Sequence, residues 1–444
     1  MRLRPPLYAL LCAAALLAAC AGPSRYYRAS LNAKIAANDQ AGALAELEKV
    51  KNSEYGEKNA VLYYLDRGLL LHEAGRYEES NRDLADAEDR MDELFTKSVS
   101  RRAGTWLLND NTTKYAGEVF ERALANVFRA LDYLMLGGTD DALVEARKVT
   151  AYLARFSAYM EGRSGFKDSA FAQYLSGLLF EADGDRDDAR ICFEASAKAS
   201  DNYRRDYGTP APRFDAVPYA DLARKGLGEI VFLHYNGPSP MKVSKTFQVA
   251  WNDAVIAFNS AQDGEPDEDQ RVRNALNAGL IGDAITVAYP EYVQDPFLVA
   301  GSRIEASSAT AETQLVEDIS GIARQTLAEK NAAIQTRAIV RAFIKNALAR
   351  AAAAEVEKKA GAGAGFLARM VASAAAAGTE TADTRGWTTL PAQIRLARLA
   401  VPPGRQDVTA VFTRADGSVD GTVVFRDVVV EKGKRTFLHY RTAR

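Results

Sequence analysis

The spacing of apolar residues changes along the chain and divides it into two regions. From Arg25 onwards, apolar residues recur at helical spacing, whereas after Glu229 they run together or alternate with polar residues as in strands. Helical spacing returns at about residues 313–377 before strands resume. The pattern predicts an α+β protein: a helical region at 20–228, followed by a mainly antiparallel β domain at 229–444 with that long helical insertion.

Three segments of the helical region share one spacing of small residues, and this spacing resembles that of tetratricopeptide repeats. In the first segment, Gly68 lets two helices approach closely and Gly75 makes the turn between them. The equivalent residues in the other segments are Ala130, Gly137, Gly177 and Gly184. The resemblance implies a solenoid-like array of helix pairs, with a plain helical bundle as the alternative.

Such repeats bind peptides or partner helices in a groove lined by their first helices. Carried over by offset, the candidate groove residues are mostly apolar: Leu62, Leu65, Leu69, His72, Leu124, Val127, Leu131, Leu134, Phe171, Tyr174 and Leu178. An apolar groove either binds a partner or is filled by the rest of the chain, and in a monomer filling is the commoner outcome. Both alternatives stay open at this point.

The second region reads as a set of strands interrupted by the helical insertion. The predicted strands are Ile230–Tyr235, Val243–Val249, Ala284–Tyr289, Phe297–Ile304, Gln393–Leu399, Val408–Thr413, Thr422–Val430 and Thr436–Tyr440. In the insertion, apolar residues around Phe343 form one helix face, and basic residues such as Arg337 lie on the other. This face either lies on a membrane or packs against the sheet, and packing is favoured.

The N-terminus has the pattern of an export signal. Arg2 and Arg4 precede an apolar run, Leu7 to Ala19, which is too short to span a bilayer. The run ends in Leu-Ala-Ala followed by Cys20, which resembles the lipobox of bacterial lipoproteins. The resemblance implies that residues 1–19 are a signal peptide and that Cys20 carries acyl chains such as palmitate. In Gram-negative sorting, Ala21 after the cysteine implies an outer-membrane, periplasm-facing location.

Charge and cysteine content narrow the classes of function. The 444 residues include 56 Lys and Arg against 58 Asp and Glu, and basic patches with interleaved aromatics are missing, so nucleic-acid binding is not expected. With Cys12 in the signal and Cys20 lipidated, Cys192 stands alone in the mature chain, so no intramolecular disulfide is expected. We expect Cys192 to be a small buried residue on a helix.

Motifs for chemistry are scarce. The three histidines, His72, His234 and His439, do not have metal-ligand spacing, and neither a metal nor another cofactor is predicted. The glycines of residues 361–365 follow an Ala-rich helix and are interpreted as a hinge. Asp383, Arg385 and Trp387 either build a binding site or support the entry to a strand, and the structural interpretation is the simpler one. No catalytic residue is proposed.

Several short motifs, taken together with the lipobox, resemble a family of uncharacterised bacterial lipoproteins with a tetratricopeptide-like N-terminal half. These are Asn236-Gly237 with Pro240 and Lys242, Ala288-Tyr-Pro290, and Ala382 to Pro391. Genes of this family often lie near one for a lipoprotein activator of a penicillin-binding protein. The resemblance implies a membrane-anchored protein and assigns no catalytic residues.

Two functional hypotheses follow from the sequence. The first is a non-enzymatic envelope lipoprotein that acts as a protein–protein interaction scaffold in cell-wall synthesis or outer-membrane assembly. Its partners would be the membrane, through the N-terminal lipid, and an envelope protein. The alternative is a hydrolase that acts on peptidoglycan or polysaccharide through carboxylates.

Overall fold

The computed structural model describes residues 23–100, 113–159, 166–250, 284–361 and 381–444, and also residues 363, 364 and 368. The segment predicted to be a signal peptide with a lipobox, and Cys20 with it, lies outside these residues. So does most of the predicted insertion after Gly361. The described parts confirm a mixed α+β protein, with helices in the first half and mainly antiparallel sheets in the second.

The described part of the first half is mainly helical. The helices are α1 (Arg25–Ala36), α2 (Gln40–Val50), α3 (Ala60–Glu73), α4 (Tyr77–Ser100), α5 (Val119–Met135), α6 (Thr139–Tyr159), α7 (Ala170–Asp183), α8 (Arg186–Tyr207) and α9 (Tyr219–Lys225). A π-helical turn at Lys51–Tyr55 and a 3-10 turn at Glu57–Asn59 connect α2 to α3. Short polar side chains cap several helix starts; Ser24, for example, accepts a hydrogen bond from the backbone of Tyr27.

Three helix pairs, α3–α4, α5–α6 and α7–α8, are built in the same way. In each pair the turn contains a glycine with positive φ: 73° at Gly75, 82° at Gly137 and 90° at Gly184. The two helices of a pair approach so closely that a side chain would not fit between them at the glycine. A Cβ atom added to Gly68 would lie 2.8 Å from the Leu84 side chain, and one added to Gly177 would lie 2.6 Å from the Phe193 ring. We call α3, α5 and α7 the inner helices and α4, α6 and α8 the outer helices.

The second half forms two four-stranded sheets and a two-stranded ribbon. The strands are β1 (Gly228–Asn236), β2 (Met241–Ala250), β3 (Ala284–Val293), β4 (Val299–Ala306), β5 (Ala309–Glu312), β6 (Gln314–Glu317), β7 (Gln393–Val401), β8 (Gly404–Arg414), β9 (Val419–Val430) and β10 (Arg435–Thr442). The inner sheet has the order β10-β1-β7-β6, the outer sheet β5-β4-β8-β9, and the ribbon is β2-β3. Only β1 and β10 pair in parallel among the described strands.

The inner sheet lies between the inner helices and the outer sheet, so it is buried on both faces. Side chains of a strand alternate between faces. Val231, Leu233 and Tyr235 of β1 therefore join the hydrophobic core of the helices, whereas Ile230 and Phe232 join the core shared with the outer sheet. One core thus runs from the helical half into the β half, across the predicted boundary at residue 229.

The helical insertion begins later than the sequence predicted. Residues Gln314–Glu317 form β6, which pairs with β7, and α10 (Ile319–Ala360) starts after Asp318, whose carboxylate accepts a hydrogen bond from the backbone of Gly321. The predicted start at residue 313 is corrected, because a four-residue strand leaves too little alternation to distinguish it from a helix. Packing against strands, the favoured alternative, is what the structure shows: Phe343 and Ile344 of α10 contact Ile285 and Val287 of the ribbon.

Candidate functional site

The eleven side chains predicted to line a partner groove lie on the inner helices. His72 is buried in a polar cluster described below, Leu134 is half-buried, and eight apolar side chains are buried: Leu62, Leu65, Leu69, Leu124, Val127, Leu131, Phe171 and Leu178. They share a hydrophobic cluster with Val231, Leu233 and Leu396 of the inner sheet. Tyr174 is half-buried, and its hydroxyl accepts a hydrogen bond from Arg398 of β7 at 3.1 Å. The groove is filled by the chain itself, which is the commoner of the two alternatives that the sequence left open, and these residues belong to the core.

A polar cluster around His72 joins α3, α5 and the inner sheet. His72 Nδ1 lies 2.6 Å from Asp132 Oδ1, and Nε2 lies 2.9 Å from the Tyr235 hydroxyl. The His72 ring stacks on that of His439 with the centroids 4.6 Å apart, and the Tyr77 hydroxyl is 2.9 Å from His439 Nε2. Residues of five elements therefore meet in one unit of hydrogen bonds and stacked rings, which holds the two halves in register.

Burial dominates the electrostatics of this cluster. It lowers the pKa of His72 to about 3 and that of His439 well below the ordinary value, so both rings are neutral at pH 7. Burial also raises the pKa of Asp132 to about 8, although the charge of Arg129 opposes the shift. The unit is thus close to electrically neutral, as a dry interior requires.

A histidine between a carboxyl group and a hydroxyl has the groups of a proton relay, but this one is enclosed. His72, Asp132 and Tyr235 have no exposed surface. A general acid or base must come within hydrogen-bond reach of the substrate. In this conformation the cluster can stabilise the junction between the halves but cannot act on a bound molecule.

An ion pair lies next to the His72 cluster. Arg441 Nη1 of β10 lies 3.6 Å from Glu73 Oε1 of α3, and both side chains are buried. Burial raises the pKa of Glu73 to about 7, opposed by the charge of Arg441. Arg441 also donates to the backbone oxygen of Leu390 at 2.9 Å. Removing one partner would leave a buried charge uncompensated.

A second polar cluster fastens the start of α5 to the ribbon and to α10. Glu118 Oε1 accepts from Lys242 Nζ at 2.7 Å, and Lys330 Nζ lies 3.4 Å from Glu118 Oε2. Burial alone would raise the pKa of Glu118, but the charges of Lys242 and Lys330 outweigh it and hold this pKa far below its usual range. We call the helices α1–α9 and the two four-stranded sheets the body. Glu118 therefore stays ionised at the point where α10 extends beyond the body.

Asp383, Arg385 and Trp387 join the segment before β7 to the helical half. Arg385 donates to both oxygens of Asp383, at 2.9 and 2.7 Å, and to the backbone oxygen of Thr113 at 2.8 Å. Trp387 is buried, and its backbone nitrogen donates to Glu121 Oε1 at 2.7 Å. The segment thereby ties α5 to the strand entry before β7.

Sequence reasoning missed the buried carboxylates that hold the layers together. Glu317, at the end of β6, accepts hydrogen bonds from Ser169 and from the backbone of Phe171 at the start of α7, and burial raises its pKa to about 8. Asp66 of α3 accepts from the backbone of Thr389, with a pKa that burial raises to about 7. The sequence did contain a sign that Asp66 is buried, because this residue lies on a helix in which most other positions are apolar.

A cleft of about 340 Å³ opens between α4, α5 and α6 on the helical half. Its lining is mainly charged and consists of Glu88, Asp92, Arg122, Asn126, Lys148, Ala151, Tyr152 and Arg155. Lys148 contacts Glu88 at 3.6 Å, and the Arg122 guanidinium lies over the Tyr152 ring, 4.6 Å from its centroid. The charged groups of the lining therefore pair with one another, while most of the surface that the cleft exposes is apolar.

The described residues contain no group of three or more His, Cys, Asp or Glu side chains placed to hold a metal ion. None of the helices, over the parts of the chain that the structure describes, is both long and apolar enough to cross a membrane. Cys192 on α8 is partly buried, and burial raises the pKa of its thiol. No protein-family model matches the chain, and no curated protein matches it.

Proposed function

We propose that the protein is a lipid-anchored envelope scaffold without enzymatic activity. The lipobox ending in Cys20 supports acylation at that residue, and Ala21 supports an outer-membrane, periplasm-facing location. Its partners would be the membrane and an envelope protein in cell-wall synthesis or outer-membrane assembly. Nucleic acid is not among the partners proposed.

The helix pairs support a degenerate tetratricopeptide-like array within this proposal. In all three pairs the close-approach residue and its partner on the outer helix are sixteen positions apart, as in Gly68 and Leu84 or Gly177 and Phe193. Ala130 and Ala146, at the same separation in the second pair, are both buried. Unlike an open array, the inner helices here are covered by the inner sheet, so a partner would bind elsewhere on the protein.

The observation that carries the proposal is the arm formed by α10 and the ribbon. Lys330 still contacts Glu118 of the body, and α10 continues for thirty residues to Ala360. At 1.5 Å per residue this is about 45 Å of helix. The ribbon covers residues 338–347, whereas Leu348, Ala352 and Val356 are exposed at a spacing of four, so they share one face.

An exposed apolar stripe on a projecting helix suits a protein that holds another protein. A partner with an amphipathic helix could pack on the stripe through the same i, i+4 geometry. The body would then fix the base of the arm, and the lipid would fix the body at the membrane. The enclosed His72 cluster favours binding over hydrolysis, because it joins layers instead of lining an open site.

Site-specific photo-crosslinking in the envelope tests this function. A photoreactive amino acid at Leu348 or Val356 should capture one discrete envelope protein, and Leu348→Asp should abolish capture at Val356. The matched control is Ile191 on α8, which is 52% exposed and should give no such product. Equal capture at Ile191, or none on the arm, would contradict the scaffold. Release of muropeptides by the purified protein would overturn it in favour of a hydrolase.

A further inference from the structure

The start of α1 carries an exposed tyrosine next to the point where the chain leaves towards Cys20. Tyr26 is 88% exposed, the largest exposed fraction among the large hydrophobic side chains described, and its neighbour Arg25 is exposed as well. Their neighbours Tyr27 and Arg28 are buried in the body. The outward face of the first helical turn therefore combines an aromatic ring with a guanidinium group.

This turn is fixed to the body. The Ser24 backbone nitrogen donates to Glu54 Oε2 at 2.7 Å, and its hydroxyl donates to Glu54 Oε1 at 3.0 Å. Arg28 Nη1 donates to the backbone oxygen of Thr384 at 3.3 Å, and Pro23 is buried. Tyr26 therefore lies on a helical turn whose backbone and neighbouring side chains are bonded to the rest of the protein.

The chain between this base and Cys20 is very short. Only Ala21 and Gly22 separate Cys20 from Pro23, so a fully extended chain spans at most roughly 11 Å. Acyl chains on Cys20 lie in the hydrocarbon layer, and the interfacial zone of each leaflet is only about 5–8 Å thick. The base of α1 cannot stand clear of the membrane that holds the lipid.

We infer that Tyr26 and Arg25 form a membrane-contacting surface, with the Tyr26 ring among the lipid headgroups and Arg25 facing lipid phosphates. The inference rests on the proposed acylation of Cys20. Tyrosine suits this zone because its ring is apolar and its hydroxyl can remain hydrated. Arginine suits it because its guanidinium binds phosphate oxygens in pairs. The contact sets the side of the body that faces the bilayer.

Tryptophan fluorescence in vesicles tests the contact. The full-length acylated protein with Tyr26→Trp is reconstituted in vesicles containing anionic lipid, with and without lipids brominated near the headgroup. The emission added by the new tryptophan, relative to wild type, should fall at least twofold with brominated lipid. Ile191→Trp, placed at another exposed site, on α8, should show no such quenching.

The outcomes separate the inference from the proposed anchor. If acyl labelling and vesicle flotation show the lipid in place but Tyr26→Trp emission is not quenched, the membrane contact is wrong and the anchor stands. If the protein carries no acyl chain and does not float, the anchor is wrong and the contact falls with it. Quenching in the acylated protein that disappears in Cys20→Ser/Tyr26→Trp supports both.

Discussion

The inner helices and the far end of α10 both carry a row of apolar side chains, yet the surroundings of these rows differ. Leu65 of α3 is fully buried in the core that the helices share with the inner sheet, whereas Leu348 of α10 is about half exposed. Buried carboxylates tie the first region together, as Asp132 does with His72. Packing on both sides makes a helix part of the core, and packing on one side leaves a face for a partner.

Placing a charge in each region should give the largest difference in the free energy of unfolding between the two regions. Leu65→Asp buries an unpaired carboxylate in the core and should lower the free energy of unfolding by about 4–5 kcal/mol or prevent folding. Leu348→Asp should change it by less than about 0.5 kcal/mol, because the new charge is solvated. Urea unfolding followed by circular dichroism measures both. Similar losses for the two variants would show that the arm is covered in solution.

Removing a positive charge from the body and from the arm tests the same difference between the two regions. Arg441→Met leaves Glu73 without its countercharge and should cost about 3 kcal/mol, and Glu73→Gln in the same chain should recover at least about 1 kcal/mol. On the arm, Lys359→Met breaks only the exposed pair with Glu355 and should cost less than about 0.5 kcal/mol. Equal stability of the single and double body variants would show that Glu73 does not need Arg441.

The pH dependence of stability should come from the body. Because burial raises the pKa of Glu317 to about 8, the folded protein holds this proton more tightly than the unfolded chain, whose carboxyl titrates near pH 4.5. The stabilisation from Glu317 is complete below about pH 4 and is lost as pH rises towards 8. Between pH 5 and 8, wild type should lose about 3–4 kcal/mol more than Glu317→Gln.

The smallest effect concerns backbone conformation. Gly184 turns from α7 to α8 with a φ of 90°, and Gly361 ends α10 with a φ of 87°. Gly184→Ala should lower the free energy of unfolding by about 1 kcal/mol, since alanine is strained at positive φ. Gly361→Ala should have no measurable effect on global unfolding, because the arm end contributes little to the core. A loss at Gly361 equal to that at Gly184 would place the arm end within the cooperative unit.

Local patterns made much of the fold predictable. The apolar run around Phe232 predicts a strand buried on both faces, and all of β1 is buried. Gly75, Gly137 and Gly184 were expected at turns, and each has positive φ. These features depend on neighbours in sequence, where spacing and residue type carry the information.

Contacts between segments that are far apart in the sequence could not be predicted. The pattern showed that Leu65 and Leu131 lie on apolar faces, but not that the inner sheet would cover them, because the covering residues lie far along the chain. Nor did it show that β1 and β10 pair in parallel across about two hundred residues. The roles of Asp132 and Glu317 depend on which groups meet them in three dimensions. The strand β6 was not predicted, because its four residues are too few to show an alternating pattern.

The parallel pairing of β1 with β10 also governs the order in which the protein can fold. The inner helices are synthesised long before β7 and β10, so their apolar faces have no cover while the chain emerges. Loop closure over such separations is slow, and exposed apolar surface promotes aggregation in the meantime. A chain exported across a membrane would therefore need a chaperone to shield α3, α5 and α7 until the last strands arrive.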